Sequence, residues 1–258
     1  MNKYLLHYLK KLKSMPKEIY ILLAIAFILR FIGITYGLPL PINTDEPVLI
    51  STTVNLKYNL NPDRFDWPHL YYYINAVAYG IFFVIRQTIS LFYRFEVLYE
   101  DSALFAVSRF LTVIFGTLTV IPVYYFAKKI FNSKQSGLIA ALILTFLPIH
   151  VSESHLAKLD IAQTFFIAVA FYFAARIYYT NRLRDYIYFG IITGLATSIK
   201  YNGVLIYLVL LVALYFHHEN LRQFFQPKIL LTNLKNLIVA GVSTIIAFYL
   251  GTPFALIE

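Results

Sequence analysis

A chain of 258 residues that is 59% hydrophobic and 14% charged carries more apolar surface than one soluble core can bury. Its net charge of +9 comes without basic–aromatic nucleic-acid signatures, and it has no cysteine, so nucleic-acid binding, a disulfide scaffold and a thiolate metal cluster are all excluded. Excess Lys and Arg of this kind mark cytoplasmic loops and meet anionic lipid, and the 22 Tyr and 23 Phe suit membrane interfaces, so the sequence reads as an integral membrane protein.

Lys3, Lys10, Lys11, Lys13 and Lys17 precede an apolar run over 19–38 that no small-residue cleavage site follows. That is the pattern of a signal anchor with a cytoplasmic N-terminus. Further apolar runs cover 70–90, 103–127, 137–151, 161–177, 186–199, 203–216 and 237–254. Several are shorter than the roughly 20 residues a spanning helix needs, and flanking Tyr, Lys and Arg extend them.

The side on which each loop lies depends on the run at 70–90. If it does not cross, Lys128, Lys129 and Lys134, then Arg176, Arg182 and Arg184, then Arg222, Lys228 and Lys235 all share the side of the N-terminus. If it crosses, all three groups face out, against the positive-inside rule. The predicted fold is therefore all-α, a polytopic membrane helix bundle of about seven transmembrane helices. It forms a single domain over 1–258, with juxtamembrane helices in an outer loop at 39–102. The stretch Trp67-Pro68-His69-Leu70-Tyr71-Tyr72-Tyr73 reads as an interfacial entry for the non-spanning run. This topology gathers Asp45, Glu46, Glu153, His155, Lys158, Asp160 and Lys200 on the outer face.

Three groups of residues could carry chemistry. Asn43 and Thr44 are N-cap types, and Pro47 suits a first turn, so a short helix is predicted from Asp45 toward Tyr58. A first-turn acid stays ionised beside the helix dipole and can serve as a general base, although spacing alone favours ordinary capping acids here. Glu153, His155, Lys158 and Asp160 crowd a second loop. Glu153 and Asp160 are candidate oxygen ligands for a divalent cation, Mg2+ or Mn2+; Asp160 fits a helix cap equally well, and no metal-type spacing is present. Arg30 and Arg109 lie inside apolar runs, and Lys200 lies at a turn between two of them. Cations at such depth face a bundle interior or a cavity, where they form internal ion pairs or meet an anionic ligand such as phosphate. His69 is either an interfacial residue beside Trp67 or a contact for phosphate or acceptor.

Four stretches in order carry a family resemblance. They are Tyr36-Gly37 leading to Thr44-Asp45-Glu46-Pro47, then Ser108-Arg109-Phe110 through Gly116 to Lys128-Lys129-Ile130-Phe131, then Ser154-His155 to Leu159-Asp160, and Gly194 to Lys200-Tyr201. The sequence resembles the GT-C superfamily of polyprenyl-phosphate-sugar-dependent glycosyltransferases, closest to the protein O-mannosyltransferase and aminoarabinose transferase branch. The resemblance implies that Asp45 is the catalytic base and that Asp160 forms part of the site or of a metal site. It makes Lys200 and Arg109 candidates for holding the lipid phosphate, with non-spanning helices after the first acid. Relatives usually continue with more helices, so the resemblance also implies a part contributed by further chain or by a partner chain.

The function expected is therefore transfer of a sugar from a polyprenyl-phosphate donor to a protein, lipid or glycan acceptor at the outer face of the cell membrane. The step is an inverting single displacement. Asp45 and Glu46 are the candidate catalytic pair. Arg109, Lys200, His155, Lys158, Arg30 and His69 are the candidates for substrate or lipid phosphate, and a divalent metal, Mg2+ or Mn2+ at Glu153 and Asp160, is the one candidate cofactor. Two other classes compete: a transporter or flippase module for lipid-linked sugars, which would line a pathway with the same cations, and a non-catalytic membrane subunit.

Overall fold

The computed structural model describes residues 15–41, 43–90, 100–218 and 226–256. Lys3, Lys10, Lys11, Lys13 and Arg222 of the charge argument lie outside the described residues. Within them all regular secondary structure is helical. The helices are α1 (Lys17–Phe31), α2 (Asp45–Asn55), α3 (Leu70–Ser90), α4 (Glu100–Leu118), α5 (Val120–Ile130), α6 (Lys134–Phe146) and α7 (Pro148–Glu153). They continue with α8 (Leu159–Thr180), α9 (Leu183–Thr197), α10 (Tyr207–His217) and α11 (Pro227–Gly251), and a 3-10 segment, Tyr201–Ile206, precedes α10.

Three helical stretches among the described residues are long and apolar enough to cross a membrane by themselves: Ser102–Ile130, which runs through α4 and α5, Leu159–Thr180 and Pro227–Gly251. Lys134–Phe146 and Tyr201–His217 are shorter apolar helices. The expected run over 137–151 is not one helix. Pro148 has no N–H to donate and its ring disfavours helix in the residue before it, so the chain breaks at Leu147 and restarts as α7.

The exterior is aliphatic and polar groups turn inward. On α3, Val77, Ile81, Val84 and Ile85 are exposed, whereas Tyr71, Tyr72, Asn75 and Tyr79 are buried. The buried face is held to α4 by hydroxyls: Tyr71 Oη lies 3.0 Å from Thr112 Oγ1, and Tyr79 Oη lies 2.6 Å from Ser108 Oγ. Lipid offers helices no hydrophobic reason to associate, so such hydrogen bonds and close packing take over. The tightest pair is α9 with α11. A methyl at Gly190 would collide with the Ala240 carbonyl oxygen, and one at Gly194 with that of Thr244. Thr244 Oγ1 in turn donates to the Gly190 carbonyl at 3.0 Å.

The ends of α9 and α11 also hold the start of α3. Leu70 N–H donates to the Ser198 carbonyl at 3.0 Å, and His69 N–H to Thr252 Oγ1 at 3.4 Å. Leu49 and Leu56 of α2, Tyr71 and Tyr72 of α3, Ala157, Leu159 and Ala162 around the start of α8, and Ile199 form one apolar cluster. The segments bearing Asp45, Asp160 and Lys200 therefore share a core at one end of the bundle.

Candidate active site

The lip at that end begins with a tight turn in which Asp45 N–H donates to Asn43 Oδ1 at 2.9 Å. Helix α2 starts there as expected and ends at Asn55. Consecutive residues on a helix point about 100° apart, so adjacent acids cannot share one environment. Asp45 is half-buried, and its carboxylate has no partner among the described residues. Glu46 is fully buried against Arg109. The pair is bidentate, with Arg109 Nε to Glu46 Oε1 at 2.7 Å and Nη2 to Oε2 at 2.8 Å.

That pair is a junction of four segments. Arg109 Nη1 donates to the carbonyls of Ile34 and Tyr36, both at 2.8 Å. Ala157 N–H donates to Glu46 Oε1 at 2.7 Å. The turn after α1, the start of α2, the middle of α4 and the turn before α8 thus converge on one carboxylate and one guanidinium. Removing either partner would leave a buried charge uncompensated, at a cost of about 3–5 kcal/mol.

The second loop is neutralised locally. Asp160 lies in the first turn of α8, and Lys200 Nζ reaches its Oδ1 at 2.8 Å. The side chains are 42% (Lys200) and 45% (Asp160) exposed, so the pair is open to a competing anion and contributes at most about 1 kcal/mol to stability. Lys158 closes on Glu153 at 3.2 Å. Both ring nitrogens of His155 face carbonyl oxygens, Val151 and Ile32, at 2.9 Å each, which ties this loop to the end of α1. Each of the two candidate metal-binding acids is held by its own lysine, and the described residues contain no group of three metal-ligand side chains.

Two other candidates lie away from the lip's surface. Arg30 is fully buried beside Gly116, where any side chain on residue 116 would meet Ser154 Oγ and the Arg30 stem. Its guanidinium donates to the carbonyls of Ala26, Leu144 and Thr145 at 3.0–3.2 Å and meets His150 Nδ1 at 3.0 Å. Leu144 and Thr145 are the carbonyls that lose their usual helical donors at the Pro148 break, so Arg30 completes the end of α6. The His69 ring is buried among Phe65, Tyr73 and Phe254, with centroids 5.2–6.4 Å away.

Sequence reasoning missed Gln163, which sets the position of Lys200. Its Nε2 donates to the Lys200 carbonyl at 3.0 Å and to Asn202 Oδ1 at 2.7 Å. An amide one turn into a helix whose next polar neighbours are Asp160 and Thr164 was the available signal. It also missed a groove of about 840 Å3 between α2, α3 and the start of α4. Pro47, Ile50, Val54, Tyr79, Phe83 and Phe105 line it, with Lys57 at one edge. It opens beside Pro47, two residues beyond Asp45.

No curated protein and no solved structure matches the chain. Residues 98–248 match the family model of the dolichyl-phosphate-mannose-protein mannosyltransferases. That stretch contains Arg109, Asp160 and Lys200, and through the Glu46–Arg109 pair it is bolted to the lip that precedes it. Because the match spans more than half of the chain, the chain belongs to this family of GT-C-type membrane glycosyltransferases.

Proposed function

We propose that the protein transfers a sugar from a polyprenyl-phosphate carrier to a hydroxyl- or amine-bearing acceptor at the outer membrane face, with Asp45 as general base. The acceptor oxygen or nitrogen attacks the anomeric carbon while the bond from that carbon to the phosphate oxygen breaks. The electron pair leaves with polyprenyl phosphate, and the acceptor proton passes to the Asp45 carboxylate. Lys200 exchanges its exposed contact with Asp160 for the departing phosphate, the charge-stabilising role that dominates in such displacements. The apolar groove beside Pro47 takes the first isoprene units of the carrier. Glu46 and Arg109 act as a frame and touch no reacting atom.

The observation that carries this reading is Asp45. It is an acid without a side-chain partner among the described residues, held on a helix start that the adjacent Glu46–Arg109 pair makes rigid, at the edge of an apolar groove. A positioned base contributes about 10²–10⁴-fold in rate. Asp45→Asn is therefore expected to lower transfer from a polyprenyl-phosphate-linked sugar by at least about 100-fold. Retention of the donor by the purified protein should be unchanged. Undiminished transfer in that variant would end the assignment; loss of donor retention together with turnover would make Asp45 a binding residue.

A further inference from the structure

A second concavity opens on α2, and its chemistry is opposite to that of the groove. Thr52 and Asn55 of α2, with the loop over residues 58–64, enclose about 430 Å3. Asn55 lines both spaces. The loop is pinned at several points. Tyr58 N–H donates to the Asn55 carbonyl at 3.0 Å, and Tyr73 Oη donates to the Leu60 carbonyl at 3.0 Å. Tyr201 Oη donates to the Phe65 carbonyl at 2.9 Å. Asp63 takes a left-handed backbone conformation, φ 50°, with its N–H on Asn61 Oδ1 at 3.2 Å. The pocket is thus shaped before anything enters it.

Its walls select a ligand class. Asn55 and Asn59 are exposed, and their side chains have no partner among the described residues. Each amide offers a donor and an acceptor together, which suits hydroxyl groups better than ions. Arg64 in the wall is already paired with Asp66 at 2.7 Å, and Asp63 adds a further acid. An anionic headgroup would gain no net attraction there, and an isoprenoid chain would strand the amides without water. Tyr58 is 78% exposed; the Lys57 ammonium lies over one face of its ring, 4.8 Å from the centroid, and the other face is the platform for the C–H face of a sugar ring.

Placement adds to composition. Thr52 follows Asp45 by seven residues, two helical turns on the same face, or about 10 Å along the axis. Leu49 on the direct line is buried, so an occupant of the pocket that extends toward the N-terminus of α2 passes over exposed Ser51 and half-buried Val48 to approach the carboxylate. We infer that this pocket binds the acceptor and that the acceptor is a neutral, hydroxyl-rich chain, a glycan. The link to Asp45 rests on the transferase reading; the pocket's preference for saccharide does not.

The test uses the full chain in lipid nanodiscs with three neutral disaccharides, mannobiose, maltose and cellobiose, as probes. Binding is read by saturation-transfer NMR against empty nanodiscs. At least one disaccharide should show transfer. Tyr58→Ala and Asn59→Ala should each weaken it by about fivefold, as loss of one stacking platform or hydrogen-bond pair implies. Both side chains are exposed, and unchanged circular dichroism and gel-filtration profiles verify that the variants fold. Asp45→Asn should leave the signal intact. Absence of any saccharide signal overturns the inference, as does a signal that both variants leave untouched. A Ser/Thr-containing peptide whose signal is lost in Tyr58→Ala, with the saccharides silent, overturns it in favour of a protein acceptor. Failure of the transferase reading shows elsewhere, as undiminished transfer by Asp45→Asn, so the two can fail separately.

Discussion

Arg109 and Arg30 are both buried in the bundle, yet their surroundings handle the charge differently. Around Arg109 a carboxylate supplies a full counter-charge and two carbonyls take the remaining donors. Around Arg30 the described residues bring no acid within ion-pairing distance, only three carbonyls and a histidine nitrogen. The first arrangement joins segments far apart in sequence and leaves nothing free. The second mends a break within the α6–α7 segment. A buried arginine in an apolar helix therefore indicates a polar junction, and only its partners tell whether that junction is a frame, a cap or a ligand site.

The sharpest way to break the comparison is Glu46→Gln. It removes the charge that Arg109 needs while keeping the shape, and should lower stability by about 3–5 kcal/mol. Thermal unfolding in detergent measures this, and a change below about 1 kcal/mol would mean that Arg109 has another counter-ion. Arg30→Met should cost less, about 1–3 kcal/mol, because the stranded carbonyls are partly offset by no longer burying a lone cation. Its cost should shrink further in a Pro148→Ala background, where an N–H returns to the Leu144 carbonyl, and a double-mutant cycle reads that coupling. Equal costs in both backgrounds would remove the helix-end role. Lys200→Met, which cuts a half-exposed pair, should change stability by less than about 1 kcal/mol while weakening donor retention. Smallest of all should be the stability effect of Asp45→Asn, within about 0.5 kcal/mol, since no side-chain contact among the described residues is lost. In that variant activity and stability part company, whereas in Glu46→Gln they fall together.

Much of the architecture was legible because it is local. Most apolar runs became helices near their expected places, although that over 19–38 ends at Phe31 and that over 237–254 begins at Pro227, and the start of α2 follows from Asn43 and Pro47. Pro148 announced the break that the reading of 137–151 as one run passed over. What could not be read was which of two adjacent acids turns inward. Asp45 and Glu46 are alike in composition and capping value, and the difference lies in Arg109, 63 residues further on. The same holds for Arg30, whose partners are more than 100 residues away. The polar pocket went unread because the run of Asn, Tyr and Asp after α2 looks like any solvated turn until Tyr73 and Tyr201 fix its shape.

The bidentate Glu46–Arg109 contact also has a consequence for strand-like precision in a helix. It acts as a detent on the rotation of α2. A slip of one residue would turn Asp45 into the slot, carry Glu46 to the place of Pro47 and put Thr44 where the free acid now stands. The shorter side chain would then not span the gap to the guanidinium, and no carboxylate would remain at the edge of the groove. Two neighbouring carboxylates that differ by a single methylene therefore encode the phase of the helix, and with it the direction in which the reactive acid points.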